Sequence, residues 1–278
     1  MVEAVLKTLL ALVLAIVATA YVRGWRRFHA AGYAPPFWRP VSYMLGLAFI
    51  AGALLSPLDE LAAERFSAHM AQHLLLTMMA APLLLLGNPL PLVLWGLPPG
   101  VRRRLAAPFR RTAWPRIALS AMAFWPAAGL LHVATIWVWH IPLLYDLAAE
   151  HEIVHAIEHV TFFATAILFW WPIIRPAPRL GPRLHPGLQI AYLVAATAQS
   201  TALGMLLAVP ERALYPHYVR AAIDLGINAV DDQMVGGGLM WSSAHMYLLP
   251  ILLILYGISR DAAREPDDAP AQSGISTD

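Results

Sequence analysis

Paired histidines are the feature of this chain best suited to chemistry, and the first pair, His69 and His73, lies four residues apart. On a helix this spacing puts both imidazoles on one face, about 6 Å apart along the axis. Imidazole is the commonest protein ligand for transition metals, so the pair could hold one ion or serve two neighbouring ions. The same spacing also occurs in interfacial histidines that hydrogen-bond to loop carbonyls, and the pair alone leaves both interpretations open.

A second histidine stripe includes a carboxylate. His151, His155 and His159 follow one another at intervals of four residues, and Glu158 stands beside the last of them. The three imidazoles share one face of a helix, and each buried imidazole has two ring nitrogens to satisfy. Glu158 could bind a metal directly or orient His159. The pattern favours a metal site at His155 and His159, with His151 at the helix start.

Two further segments place polar groups in apolar surroundings. His132 and His140 lie two turns apart in one apolar run, and Asp232 and His245 belong to the last run of the chain. The ordinary role of such a histidine is a hydrogen bond between helices, and that of such an aspartate is a helix cap. Ionisable groups at membrane depth are costly and usually functional, so we expect these residues to join the metal site.

The elements that carry these residues are predicted to be membrane-spanning helices. Of the 278 residues, 59% are hydrophobic and 13% are charged, about half the charged share of a soluble protein. The apolar runs suit helical spans of roughly 20 residues and lack the alternation of a membrane β-barrel. We therefore expect an all-α polytopic protein with seven transmembrane helices, at about residues 3–22, 41–56, 66–87, 118–139, 151–174, 187–209 and 235–258.

The remaining segments complete the predicted organisation. Residues 1–264 form one membrane domain, whose N-terminal segment is retained as a first helix, and the polar residues 265–278 form a disordered cytoplasmic tail. The proline-rich stretch 88–100 is too short and too broken to span, which indicates an interfacial or re-entrant segment. The absence of cysteine excludes disulfides and thiolate metal sites. The net charge of +2, carried by loops, argues against a nucleic-acid partner.

Basic residues predict the orientation of the helices, because cytoplasmic loops carry an excess of lysine and arginine. Alternate loops hold the arginines 23, 26, 27, 39, 102, 103, 104, 110, 111, 116, 175, 179, 183, 260 and 264. The other loops hold only Arg65, Arg212 and Arg220. The first set is therefore expected inside, with the N-terminus outside and the C-terminus in the cytoplasm.

This orientation predicts that most histidines lie at the outer ends of the helices. Only His29 and His185 fall in cytoplasmic loops, and His217 and His151 lie at the periphery of the outer side. Depth along the helices places the buried centre at His73, His132, His155 and His159, surrounded by His69, His140 and His245, with Asp232 and Glu158 as carboxylates. The expected site is an outward-facing metal centre.

Four segments in order carry a resemblance to a known family: HMAQHLLLTMMAAPLLLLGNP, HVATIWVWHIPLLYDLA, HEIVHAIEHVTFFATAILFWWP and DDQMVGGGLMW. Through them, from the second span to the seventh, the chain resembles the seven-helix CtaG-type cytochrome c oxidase assembly proteins of bacteria. The resemblance implies a role in maturing haem–copper oxidases in the cytoplasmic membrane, with copper delivered or inserted. Its implied partners are an oxidase subunit or a copper donor protein, and an oligomer is compatible with it.

The resemblance also implies which residues belong to the site. Its motifs mark His69, His73, His132, His140, His155, Glu158, His159, Asp232, Gln233, Met240 and Trp241. Imidazole and thioether ligands suit Cu(I), whereas carboxylate with imidazole suits Cu(II). Copper, as one ion or more, is therefore the expected metal.

Three other functions remain open from the sequence. A histidine-rich membrane oxidoreductase with two metal ions is compatible with the HxxxH spacing. A bis-histidine haem carrier could use facing residues such as His73 and His132. A proton-coupled transporter would need polar residues across the whole membrane, and the inner half of the predicted spans is nearly bare. A metal-binding assembly or transport factor is favoured over an enzyme.

Overall fold

The computed structural model describes residues 2–33 and 35–264, and every regular element within them is helical, which confirms the all-α expectation. The predicted tail, residues 265–278, lies outside the described residues. The α-helices are α1 (Val2–Ala30), α2 (Trp38–Leu54), α3 (Pro57–Glu64), α4 (Phe66–Leu74), α5 (Ala81–Leu86), α6 (Pro89–Gly96), α7 (Pro99–Ala106), α8 (Trp114–Met122), α9 (Trp125–Trp139), α10 (Pro142–Glu150), α11 (Glu152–Ile174), α12 (Pro186–Ala208), α13 (Pro216–Leu225), α14 (Ala229–Ser243) and α15 (Leu248–Arg264).

Within the described residues, five helical stretches are long and apolar enough to cross a membrane. They are Glu3–Ala30, Phe66–Leu86, Glu152–Ile174, Pro186–Ala208 and Ala229–Arg260. Two bent pairs, α2 with α3 at 46° and α8 with α9 at 71°, raise the number to seven if each pair is one span. Proline explains both bends, because Pro57 and Pro126 open the second helix of each pair and cannot continue the hydrogen-bond ladder of the first.

The third span contains a wide turn directly after His73. Leu75–Ala80 forms a π-helix between α4 and α5, and Pro82 follows it. A proline lacks the backbone N–H and its ring clashes with the carbonyl four residues earlier, so a wider turn relieves the clash. Trp170 of α11 donates its indole N–H to the Thr77 carbonyl at 3.0 Å, which gives this turn a partner.

The last span begins earlier than the sequence indicated. The predicted start at residue 235 was wrong, because α14 begins at Ala229, where the Asn228 side chain accepts a hydrogen bond from the Val230 N–H. Asparagine is a strong N-cap, and this cap extends the helix by nearly two turns. Asp231 and Asp232 therefore lie in the first turn of the helix and not in the loop before it.

The proline-rich stretch forms a short helix that does not span. Helix α6 has 8 residues and packs along α1. Two glycines make this contact possible: a Cβ at Gly24 would lie 1.7 Å from the Leu92 carbonyl oxygen, and one at Gly96 would lie 1.7 Å from the Ala20 carbonyl oxygen. The backbones of α1 and α6 therefore touch directly, as small residues allow between membrane helices.

We expect Gly24→Ala to lower the melting temperature of the detergent-solubilised protein. The added methyl group meets a backbone carbonyl that cannot rotate away, and such overpacking costs about 1–3 kcal/mol. Gly52→Ala in α2 is the matched control, because a Cβ there has open space within 4 Å and alanine favours a helix over glycine. Equal melting temperatures for the two variants would contradict the contact between α1 and α6.

The two ends of the bundle differ in charge. Five arginines border one cavity of about 430 Å³ near the start of α2 and the end of α11: Arg39 and Arg116, in the first turns of α2 and α8, and Arg111, Arg175 and Arg179. The opposite end, at the start of α1 and α11 and the end of α2, is rich in carboxylates. Helices α10 and α13 pack against each other at this acidic end and cover the start of α4.

Candidate metal centre

Helices α4 and α11 bring four imidazoles and one carboxylate together at the acidic end. His69 Nε2 lies 3.4 Å from Glu158 Oε2, and His73 Nε2 lies 3.8 Å from Glu158 Oε1. The ring centroids of His69 and His155 are 4.9 Å apart, and those of His73 and His159 are 5.2 Å apart. We call these five residues the imidazole–carboxylate cluster.

The potential ligand atoms of this cluster have no hydrogen-bond partner among the described residues. They are buried and comprise the Nε2 atoms of His69, His73, His155 and His159, the Nδ1 atom of His73 and both carboxylate oxygens of Glu158. Two overlapping triads, one of His69, His155 and His159 and one of His69, His73 and Glu158, keep their ligand atoms within 4.8 Å of one another. Ligands about 2.0–2.1 Å from a tetrahedral ion lie roughly 3.4 Å apart, so a small inward movement suffices to close either triad around a metal.

Glu158 gives the cluster its electrostatic character. Its side chain is 0% exposed, and neither oxygen accepts a hydrogen bond from the described residues. A carboxylate removed from water costs several kcal/mol unless a positive charge or hydrogen bonds compensate. Neutral imidazoles supply no such charge, whereas a bound cation does. The residues present therefore fit a transition-metal ion with nitrogen and oxygen ligands.

The polypeptide around α4 fixes the position of its two histidines. Asp232 of α14 accepts hydrogen bonds at the N-terminus of α4, from the Phe66 N–H at 2.7 Å and from the Ser67 hydroxyl. The buried Gln72 donates to the Ala53 carbonyl at 2.8 Å and to Asp59 Oδ1 at 2.7 Å. These bonds hold α4 against three other helices, so the imidazoles are positioned before any ligand binds.

A tyrosine sets the tautomer of His69. The Tyr218 hydroxyl donates to the Ala62 carbonyl at 2.9 Å and lies 2.7 Å from His69 Nδ1. Burial raises the pKa of the Tyr218 phenol well above its usual value, so the hydroxyl keeps its proton. Because that proton goes to Ala62, His69 Nδ1 must donate to the phenol oxygen, which leaves the Nε2 lone pair free for a metal.

We expect Tyr218→Phe to weaken metal binding about 10- to 100-fold, the usual cost of losing a group that orients a metal-binding histidine. Isothermal titration of the purified protein with Cu(II) measures this change. Tyr21→Phe is the matched control, since Tyr21 is also buried and donates to a backbone carbonyl, that of Gly87, but belongs to the α1–α2 region. Equal affinities for both variants would show that Tyr218 does not orient a ligand.

The structure places His132 and His140 beside the cluster and not within it. Both line a separate internal cavity of about 30 Å³, which His73 also borders. His132 Nδ1 lies 3.2 Å from the Thr165 hydroxyl, and His140 Nδ1 donates to the Ile136 carbonyl at 2.7 Å. We call this cavity the inner chamber.

Four other histidines and acids of interest lie apart from the cluster. Asp232 caps α4, and His151 stands exposed at the start of α11. His217 contacts the Ala63 carbonyl in an exposed position. His245 is exposed and lies about 24 Å along the last span from Ala229, at 1.5 Å per residue. The sequence placed His245 near the outer end because it set the helix start too late.

An open, acidic cavity leads to the cluster. It has a volume of about 540 Å³, and His155 and His159 border it. Its other polar lining consists of Glu3, Lys7, Asp59, Glu60, Glu64, Glu150 and Glu152. Lys7 is held by Glu3 at 2.6 Å and Asp59 at 2.9 Å. We call this cavity the acidic vestibule; its carboxylates attract cations toward the two histidines.

Sequence reasoning missed the residues that position the cluster. Tyr218 and Tyr145 pack around the His69 ring from α13 and α10, and Gln72 reaches α2 and α3. Gln72 lies between the two histidines of the HxxxH pair, and an amide side chain at that position of an apolar helix could have indicated its role. The two tyrosines belong to short helices between the spans, where the sequence pattern gave no indication of their contacts.

These features define a polytopic α-helical membrane protein with a buried imidazole–carboxylate cluster at one end of its bundle. The chain belongs to the family described as cytochrome c oxidase caa3 assembly factor (Caa3_CtaG), which residues 19–260 match. The family indicates a cytochrome c oxidase assembly factor, and the resemblance drawn from the sequence motifs is confirmed.

Curated relatives extend well beyond this chain. It is 25% identical over 255 residues to an uncharacterised protein of Mycobacterium leprae, and 25% identical over 258 residues to uncharacterised proteins of Mycobacterium bovis and Mycobacterium tuberculosis. Each match covers 90% of this chain but 38% of the relative. No solved structure matches the chain.

Proposed function

We propose that this protein binds copper in the imidazole–carboxylate cluster and delivers it during assembly of a haem–copper cytochrome c oxidase. The observation that carries the proposal is the buried Glu158 carboxylate, which lies among four imidazoles and accepts no hydrogen bond from the part of the chain that the structure describes. Imidazole with carboxylate suits Cu(II), and imidazole also serves Cu(I). Membership of an oxidase assembly family makes copper the appropriate cargo.

We further propose that the cluster faces the outside of a bacterial cytoplasmic membrane, with the N-terminus outside and the C-terminus in the cytoplasm. The supporting observation is the grouping of five arginines, from loops and from the first turns of α2 and α8, around one cavity at the opposite end of the bundle. Arginine-rich loops stay in the cytoplasm. The acidic vestibule then opens to the outer side, where a copper donor or an oxidase subunit would meet it.

Two alternatives from the sequence fit the geometry less well. A haem between His73 and His132 would need several hundred Å³, whereas the chamber they share measures about 30 Å³. A histidine-rich centre with two metal ions would need separate ligands for each ion, whereas the two triads of the cluster share His69, whose Nδ1 is hydrogen-bonded to Tyr218. Both differences favour a site that binds one ion at a time over a haem site or a two-metal centre.

Copper analysis of the purified protein tests the proposal. We expect wild-type protein loaded with Cu(II) and desalted to retain copper, and His155→Ala/His159→Ala to lose it, because both imidazoles border the vestibule and the cluster. His245→Ala is the control and should retain copper, since His245 is exposed and distant from the cluster. Retention of zinc or iron in place of copper, or equal loss in both variants, would contradict the proposal.

A further inference from the structure

The inner chamber differs in its ligand types from the imidazole–carboxylate cluster. Its lining combines imidazoles, thioethers and hydroxyls, among them His73, His132, His140, Met70, Met240 and Ser200, which come from α4, α9 and its C-terminal end, α12 and α14. Met70 and Met240 are buried and belong to the same packed cluster of side chains. A buried methionine normally fills space, whereas here the thioethers border a cavity that is large enough for one ion or water.

The chamber's imidazoles present free lone pairs. His140 Nδ1 donates its proton to the Ile136 carbonyl, so Nε2 carries the lone pair, and no group in residues 2–33 and 35–264 hydrogen-bonds to this buried atom. The Thr165 hydroxyl donates to the Thr161 carbonyl at 2.8 Å and therefore accepts from His132 Nδ1. Both rings are thus set in the tautomer that a metal requires at Nε2.

His73 connects the chamber to the cluster. It borders the chamber, and its Nε2 lies 3.8 Å from Glu158 Oε1. Both of its ring nitrogens are buried, and neither has a hydrogen-bond partner within the described part of the chain. The His73 imidazole therefore borders two neighbouring groups of potential ligands. The imidazole–carboxylate cluster contains a carboxylate, and the inner chamber contains thioethers.

We infer that the inner chamber is a second copper site, selective for Cu(I), with thioether ligands from Met70 and Met240 and imidazole ligands from His132 and His140. Thioether and imidazole ligands select Cu(I), whereas Mg²⁺ and Ca²⁺ need about six or more oxygen ligands that the chamber lacks. The inference rests on the proposed function and deepens it, because the protein would then hold copper at two successive positions. It involves binding alone, without a redox step.

X-ray absorption of anaerobic, Cu(I)-loaded protein tests this inference. Wild-type protein should show Cu–S scattering, and Met70→Leu/Met240→Leu should lose that scattering together with one equivalent of Cu(I) under competition with a Cu(I) chelator. Leucine and methionine have similar volumes, so the core tolerates the exchange. Met205→Leu, at an exposed position of α12, is the control and should keep the sulfur scattering.

A second measurement uses the unsubstituted protein, so its result does not depend on whether the methionine variant folds. Selenomethionine-labelled protein loaded with Cu(I) should show Cu–Se scattering. Scattering from nitrogen and oxygen alone in the wild type, or sulfur scattering that persists in Met70→Leu/Met240→Leu, would overturn the inner site. The Cu(II) electron paramagnetic resonance signal of the imidazole–carboxylate cluster should be unchanged in Met70→Leu/Met240→Leu. If wild-type protein lacks that signal, or keeps it in His155→Ala/His159→Ala, the proposed function fails instead.

Discussion

Glu158→Gln is expected to abolish tight copper binding while leaving the metal-free protein at least as stable as the wild type. Glutamine keeps the shape of the side chain but cannot carry a negative charge. Glu158 is the only carboxylate within the cluster. We expect the copper affinity to fall by more than about 100-fold, beyond the effect of losing a group that only orients a ligand. Metal-free stability should hold or rise, because the glutamine amide cannot ionise and so never carries the cost of a buried charge.

Thermal unfolding with and without copper measures both effects. A ligand at 100 times its dissociation constant stabilises the folded state by about 2.7 kcal/mol, so the wild type should melt at a higher temperature with copper. Glu158→Gln should lose this increase. Glu152→Gln should keep it, because Glu152 is exposed and lies at the start of α11, nearly two helical turns before Glu158. If Glu158→Gln retains the copper-dependent increase, the carboxylate is not a ligand.

In its native host, His155→Ala/His159→Ala should produce a cytochrome c oxidase that lacks copper. The variant removes two ligands from the cluster and leaves the helical scaffold in place. We expect the purified oxidase to show its haem spectrum with much lower copper content and activity. Added copper should restore part of this activity if the defect lies in delivery, because a high copper concentration bypasses a carrier.

His151→Ala provides the control for the experiment in cells. His151 lies on the same helix but stands exposed at its start, outside the cluster. We expect normal copper content in the oxidase of that strain. A fully copper-loaded oxidase in the His155→Ala/His159→Ala strain would show that the cluster does not supply the copper, whatever it binds in isolation.

The central pair of helices could be predicted from the sequence because periodicity and sidedness act over short distances. Spacing of three and four residues places His69 with His73, and His155 with Glu158 and His159. The spans Phe66–Leu86 and Glu152–Ile174 were both predicted within one residue of their bounds. The alternation of arginine-rich and arginine-poor loops then predicted that the histidines of both helices lie at the same end of the bundle. The structure adds that their nitrogen and oxygen atoms lie within a few ångströms of one another.

The division into two ligand groups could not be predicted in this way. The sequence grouped His132 and His140 with the cluster, but their separation depends on how α9 packs against α11 and on the chamber between them. The role of Tyr218 likewise depends on a contact 149 residues away along the chain. Such contacts follow from tertiary packing, which one sequence does not encode as a local pattern.

Anomalous diffraction at the copper absorption edge tests the central claim most directly. A crystal of the copper-loaded protein should show an anomalous peak between α4 and α11, bounded by the imidazole nitrogens of His69, His155 and His159 and by the Glu158 carboxylate. A crystal whose fluorescence shows copper, but whose anomalous map has no peak at this position, would contradict the assignment of the imidazole–carboxylate cluster as a copper site.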